Sequence, residues 1–171
     1  MRRLRYCVAA SLDGFIAGPD GDHDWILPDP EIDFAGLWAQ FDTLVMGRKT
    51  YEVARARRGS LSGGSQRWIV VSSTLNPADH PEVEVVSGNI AGLVAQMKAE
   101  TGKDIWLSGG GVIFRTLLDA GLVDSVEVMV MPVLLGSGTP LLQPGGRASL
   151  RLEQSRTLPS GIVLLNYAAR P

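Results

Sequence analysis

Ile105-Trp106-Leu107-Ser108-Gly109-Gly110-Gly111-Val112 runs from a short apolar strand into three consecutive glycines. Ile113, Leu117 and Leu118 then continue at helical spacing and stop at Gly121. A strand that passes through glycine into a helix is the repeating unit of an open α/β sheet, and the chain contains a second such turn. Thr43 to Met46 is an apolar strand, Gly47 turns it, and a helix is predicted from Lys49 or Thr50.

Working outward from these two turns, Leu4 to Ala10 reads as a buried strand ended by Asp13-Gly14, and Phe15-Ile16-Ala17 as a second short one. Residues 19–33 are acidic and interrupted by proline, which predicts a loop. Phe34, Leu37, Trp38 and Phe41 then mark an amphipathic helix. Trp68 to Val71 and Val83 to Val86 are further strands, with a glycine- and serine-rich loop over Gly59 to Ser65 before them. Ile90, Leu93, Val94 and Met97 predict a helix stopped by Gly102. The last third changes character. Val126, Val128 and Val130 alternate with Glu127, Met129 and Met131, and Ser149–Thr157 and Ile162–Ala168 form a hairpin across Pro159-Ser160-Gly161. The expected fold is α/β: one domain with a central mixed, mostly parallel sheet flanked by helices and a C-terminal antiparallel hairpin.

Composition bounds the function. A chain of 171 residues suits one domain with a full core, and 45% hydrophobic with 20% charged residues is ordinary for a globular protein. A net charge of -2 argues against a general nucleic-acid binder. The single cysteine, Cys7, allows no internal disulfide and no multi-cysteine zinc site, and reads as a small core side chain. Arg2, Arg3 and Arg5 precede an apolar run too short for a signal peptide, and nothing approaches the roughly 18 apolar residues of a membrane span. A cytoplasmic protein is expected.

The chemistry concentrates at the two glycine turns. In Val45-Met46-Gly47-Arg48-Lys49-Thr50-Tyr51-Glu52, free amides at a helix N-terminus, a hydroxyl and two cations suit a phosphate. A solvated basic helix face is the competing reading, because Arg55, Arg57 and Arg58 follow. At Gly109, Gly110 and Gly111 the backbone is able to approach a ligand closely, or simply to pack. Neither turn carries the P-loop or the G-x-G-x-x-G fingerprint. Asp20, Asp22, Asp24 and Glu31 fall at EF-hand spacing, but Trp25 stands where the loop needs glycine, so no metal is expected. His23 and His80 lie in polar loops, and no Ser-His-Asp set is evident.

Four motifs in order resemble the dihydrofolate reductase superfamily: Ser11-Leu12-Asp13-Gly14-Phe15-Ile16-Ala17, then Met46 to Glu52, then Gly109-Gly110-Gly111, then Val133-Leu134-Leu135-Gly136-Ser137-Gly138. The nearest branch is the C-terminal reductase domain of the bifunctional riboflavin-biosynthesis deaminase/reductase and its stand-alone relatives. The likeness runs over residues 3 to 168. It implies a dihydrofolate-reductase-like sheet of about eight strands, a homodimer, and NADPH as the hydride donor to a small heterocycle of pteridine or ribosylaminopyrimidine type. A non-catalytic NADP(H)-binding sensor of the same fold is the alternative.

By position in that family, Gly47, Arg48, Lys49 and Thr50 would hold phosphates. Gly109, Gly110, Gly111 and Val112 would close over the pyrophosphate and nicotinamide ribose. Ala10, Asp13 and Ile16 would flank the nicotinamide, with residues 13–21 as a mobile loop. Ser72 and Ser73 fall at the adenosine 2′-phosphate, where dihydrofolate reductases commonly place arginine after serine. For the substrate, Glu31 and then Asp29 are the candidate pocket carboxylates, a residue type that pairs with an aminopyrimidine edge by two hydrogen bonds. The other reading of these acids is complementarity to a helix macrodipole.

Overall fold

The computed structural model describes residues 1–58 and 66–169, with the side chains of 57 and 58 left aside. The glycine- and serine-rich stretch 59–65 lies outside the described residues. The chain order is β1 (Leu4–Ser11), β2 (Phe15–Ala17), α1 (Phe34–Ala39), β3 (Phe41–Gly47), α2 (Arg48–Arg58) and β4 (Arg67–Val71). After a 3₁₀ turn at Pro77–Asp79 come β5 (Glu84–Val86), α3 (Ile90–Ala99), β6 (Asp104–Gly109), α4 (Gly111–Asp119) and β7 (Ser125–Met131). The chain closes with β8 (Thr139–Pro140), β9 (Leu150–Thr157) and β10 (Val163–Ala169). Among the described residues, no helix is long and apolar enough to cross a membrane.

Eight strands form one sheet in the order β5-β4-β3-β6-β1-β7-β10-β9. The first six are parallel, and the terminal hairpin joins β7 antiparallel through β10. The central parallel strands are apolar on both faces, as a sheet covered by helices requires. On one face α3 and α4 bury Val94, Met97, Ile113 and Leu117 against Val45, Ile69, Ile105 and Leu107. There the Tyr6 and Phe114 rings stack at 3.8 Å between centroids. On the other face α1 and α2 cover Leu44, Met46, Trp68 and Val70. Side-chain oxygens start two helices: Asp33 accepts from the Gly36 amide and Asn89 from the Gly92 amide.

One local expectation changes. Helix α1 stops at Ala39, and Phe41 opens β3 with 1% of its surface exposed, packed against Trp106 at 5.1 Å between centroids. Helical and strand periods both place an apolar residue there, and the parallel pairing with β6 selects the strand. Phe15–Ala17 forms the expected short strand, β2, which pairs with β8 in a separate two-stranded sheet. Strand β8 carries no alternation to announce it. Gly138 permits it, because a Cβ at that position would collide with the Ala17 carbonyl.

Candidate active site

The helix after β3 leads to β4 on one side, whereas the helix after β6 leads to β7 on the other. Since β3 and β6 are neighbours, the chain diverges between them. In open α/β sheets such a switch point at the carboxyl ends of the strands forms the ligand crevice. Met46 pairs with Gly109, so the two glycine turns lie side by side. A Cβ on Gly110 would sit 3.9 Å from the Gly47 amide nitrogen.

Two neighbouring helix N-termini therefore open into one crevice. Gly110 is the N-cap of α4, with φ at +93° and no side chain closing the first turn. That conformation excludes nearly every residue with a Cβ. Gly111 has no room for one either, because the Pro140 carbonyl oxygen lies 2.8 Å from where it would be. Thr50 packs its hydroxyl against Gly109, whose own Cβ would fall 2.8 Å from Oγ1. Arg48 is exposed and spans one turn to Glu52 at 3.0 Å, a pairing weak enough to exchange for a ligand phosphate. Lys49 is exposed and makes no ion pair among the described residues. Val112, on the first turn of α4, is 66% exposed.

The other predicted positions are held in different ways. Ala10 is buried in β1, and Ile16 packs against the main core. Asp13 accepts from the Ser11 hydroxyl at 2.6 Å and from the amides of Gly136 and Leu135 at 2.7 and 3.1 Å. The Ser11 and Gly136 bonds in particular hold its carboxyl at about 2. Asp13 thus joins the β1–β2 turn to the loop after β7. Ser72 and Ser73 follow β4, one strand beyond Gly47. The Ser72 oxygen accepts from the amides of Thr74 and Leu75, both at 3.1 Å, and shapes its own turn, while Ser73 is exposed.

Asp29 and Glu31 lie elsewhere, against the terminal hairpin. Asp29 is buried and accepts from the Ser160 hydroxyl and the Glu31 amide, which depress its carboxyl below the ordinary value. Glu31 pairs with Arg156 on β9. Trp25, Ile26 and Ile32 pack on Met131, Leu158 and Ile162, so the acidic segment is fastened to the sheet at both carboxylates. Neither carboxylate lines the cleft described next.

That cleft, of about 160 Å³, lies between the sheet and helices α1 and α2. Three indoles, Trp38, Trp68 and Trp106, wall it, with Leu44, Met46 and Ala54 completing the apolar lining. Thr50 and Ser108 are its hydroxyl-bearing lining residues, and the Ser108 Oγ is buried with no hydrogen-bond partner among the described residues. The Trp106 indole is fixed by a 2.9 Å bond from Nε1 to the Cys7 carbonyl. Trp106 and Ser108 alternate on β6 immediately before the glycines. This period of two is visible in the sequence, but nothing in it distinguishes a tryptophan that walls a cleft from one that packs a core.

The sheet order, the switch point and the stitched β2–β8 pair together define a dihydrofolate-reductase-like fold. More narrowly, the chain belongs to the RibD C-terminal domain family, which matches residues 2–164. The uncharacterized protein YyaP of Bacillus subtilis (strain 168) is 33% identical over 179 residues, covering 97% of this chain and 94% of its own length. A Shewanella sp. PV-4 protein provisionally assigned to riboflavin biosynthesis superposes with a TM-score of 0.83 at 27% identity, over 100% of both chains. Dihydrofolate reductase from Enterococcus faecalis, solved with NADP(H), superposes with a TM-score of 0.70 at 21% identity, over 99% of this chain and 97% of that one. At that identity the last likeness speaks for the fold alone.

Proposed function

We propose that the protein is an NADPH-dependent reductase of a small conjugated heterocycle. The observation that carries this reading is the adjacency of two glycine-led helix N-termini at the switch point, with Gly110 uncapped and backbone-restricted. Amides there are pre-aimed at an anion, and their dipoles favour negative charge.

In this reading Gly47, Arg48, Lys49 and Thr50 hold phosphates from one side, and Gly109, Gly110, Gly111 and Val112 from the other. Ala10, Asp13 and Ile16 border the nicotinamide end. Ser72 and Ser73 offer hydroxyls toward the adenosine 2′-phosphate, and Lys49 supplies the unpaired charge. When bound, NADPH supplies hydride to the carbon of a C=N or C=O bond and is oxidised to NADP⁺, while water protonates the acceptor's nitrogen or oxygen. The chain's own work is orientation and exclusion of water. Asp29 and Glu31 hold the 25–33 segment against the terminal hairpin.

The test is a fluorescence titration of NADPH followed by loss of absorbance at 340 nm with dihydropterins, ribosylaminopyrimidines and quinones. Saturation in the micromolar range, weakened at least tenfold by Lys49→Ala with Thr50→Ala, is expected. Affinity weaker than about millimolar, or no response to that pair of substitutions, rejects the phosphate assignment. Tight binding without turnover of any acceptor rejects the reductase and leaves a nucleotide sensor.

A further inference from the structure

Tyr51 follows Thr50 on α2 and is fully buried. Its ring packs with Leu44, Met46, Trp68 and Val70, and its hydroxyl reaches the connection between β4 and β5. Resting on the nucleotide reading above, we propose that Tyr51 is a positioning residue. Without touching the nucleotide, it locks the first turn of α2 to the Ser72–Ser73 turn and so sets a preference for NADPH over NADH.

The protons of the cluster fix its direction. The Glu82 carboxylate, which only accepts, lies 2.6 Å from the Tyr51 oxygen, and the His80 Nδ1 lies 2.8 Å from it. The bond from Tyr51 holds Glu82 below the ordinary carboxylate value, while burial and then Glu82 push the hydroxyl up to about 12. The one phenolic proton therefore goes to Glu82, and His80 donates from Nδ1 to the phenolic oxygen. Arg55 stands 3.2 Å from that nitrogen, but a protonated Nδ1 accepts nothing, and the guanidinium closes on Glu82 at 3.6 Å. Each of these interactions crosses from helix to loop, so neither moves without breaking one. Buried polar networks of this kind rigidify and specify a single arrangement.

The crevice depends on that arrangement in two ways. Successive helical residues lie about 100° apart. Thr50 packs on Gly109 and Tyr51 is bonded to the β4–β5 connection, so adjacent residues pin the roll of α2 from two directions. The serines are held from the other side. Val71 pairs with Gly47, which puts Ser72 one residue beyond the partner of the phosphate turn. The Ser72 amide bonds to the Val86 carbonyl at 2.9 Å, and its side-chain oxygen accepts from the Thr74 and Leu75 amides. Leu75 and Val83 pack on the cluster that holds Tyr51. These apolar contacts seat the connection on α2, and the Tyr51 hydroxyl gives the seat its register. NADPH differs from NADH by one phosphate, which in this reading bridges Lys49 on α2 and the two serines. Hydrogen bonds weaken steeply with misalignment, so a connection free to drift loses that phosphate while the glycine turns keep the rest.

The experiment measures Kd for NADPH and for NADH by fluorescence in the parent, Tyr51→Phe, Glu82→Leu, Glu82→Gln and the Tyr51→Phe/Glu82→Leu double variant. Circular dichroism checks that each is folded. Tyr51→Phe keeps the ring and removes the hydroxyl, and the loss of one hydrogen bond should weaken NADPH about three- to tenfold with NADH within twofold. Glu82→Leu should do the same from the loop side, and it decides the question alone if Tyr51→Phe does not fold. The double variant should be no more than twofold worse than either, because both remove one interaction. Glu82→Gln keeps an acceptor for Tyr51 and should hold the ratio of the two affinities within twofold of the parent. Equal weakening of both nucleotides, an unchanged ratio in the folded variants, or a parent with no preference for NADPH overturns the proposal and leaves the nucleotide reading standing. A parent that binds neither nucleotide overturns that reading and this proposal with it.

Discussion

Gly110→Ala separates the backbone's contribution to folding from its contribution to the nucleotide. The native φ of +93° lies where L residues are strained, and a single strained residue costs about 1–3 kcal/mol. Nothing else opposes the methyl group, since its nearest neighbours, Ile113 Cδ1 and the Gly47 nitrogen, would be 3.7 and 3.9 Å away. For a chain of this length, each kcal/mol lowers the midpoint by roughly 2–4 °C, so a fall of about 2–12 °C is expected. The same methyl group would project between the two helix N-termini, where a phosphate oxygen must come within about 3 Å of an amide. Losing one charge-assisted hydrogen bond there costs about 1.5–3 kcal/mol, which weakens NADPH roughly 10- to 150-fold. Gly121→Ala is the control. Its φ is +66°, no atom lies within 4 Å of the new Cβ, and it stands beyond the far end of α4. It should lower the midpoint while leaving NADPH affinity within twofold. Thermal unfolding by circular dichroism and NADPH titration on both variants decide the matter. If Gly110→Ala binds NADPH within threefold of the parent while folded, the two turns do not jointly hold a phosphate.

Asp13→Asn should lower the thermal midpoint by an amount that depends on pH. The native carboxyl is depressed from 3.8 to about 2, so its stabilising effect is complete above the unfolded value and disappears as pH falls through 3.8 toward 2. A gap between parent and variant that stays constant from pH 6 to pH 3 would refute the bonds to Ser11, Leu135 and Gly136 as its source. Asp29→Asn and Glu31→Gln test the acidic segment. Glu31 is in an exposed pair with Arg156, so its loss should cost under about 1 kcal/mol and leave the acceptor KM within twofold. Asp29, buried on Ser160, should lower the midpoint more, and a tenfold rise in KM from either variant would return that carboxylate to the substrate site.

What could be read from the sequence follows from where the constraint is local. Gly110 needs its left-handed φ and Gly111 has no room for a Cβ, so the glycine run marks the second turn by local geometry, whereas Gly47 marks the first only as a glycine between an apolar strand and a helix. Alternation did the same for Val126 to Val130. Phe41 was assigned to a helix because one apolar residue satisfies two periods, and only pairing with β6 distinguishes them. The carboxylates were harder still. A helix-proximal acid looks the same in sequence whether it meets a ligand, a macrodipole or Arg156, and its partner here lies 125 residues away. Strand β8 depends on the Ala17 carbonyl meeting Gly138, a contact between distant segments.

The same distinction explains why the cofactor is easier to infer than the acceptor. Phosphate recognition is built from backbone amides, and backbone geometry leaves glycine in the sequence wherever a Cβ would obstruct it. The indole-walled cleft is built from side chains drawn from α1, α2, β3, β4 and β6, and each of those residues is also an acceptable core residue. Trp38, Trp68 and Trp106 would pack a sheet face equally well with no ligand present. The Ser108 hydroxyl, buried with no hydrogen-bond partner among the described residues, stands two residues along β6 from Trp106 and one before the first glycine. A single strand thus carries the indole, the hydroxyl and the first glycine of the turn within four positions, Trp106 to Gly109. Moving any of them by one residue would flip the alternation and turn the indole and the hydroxyl toward α3 and α4. The register of β6 against β3 is therefore the feature on which the indole wall and the adjacency of the two glycine turns both depend.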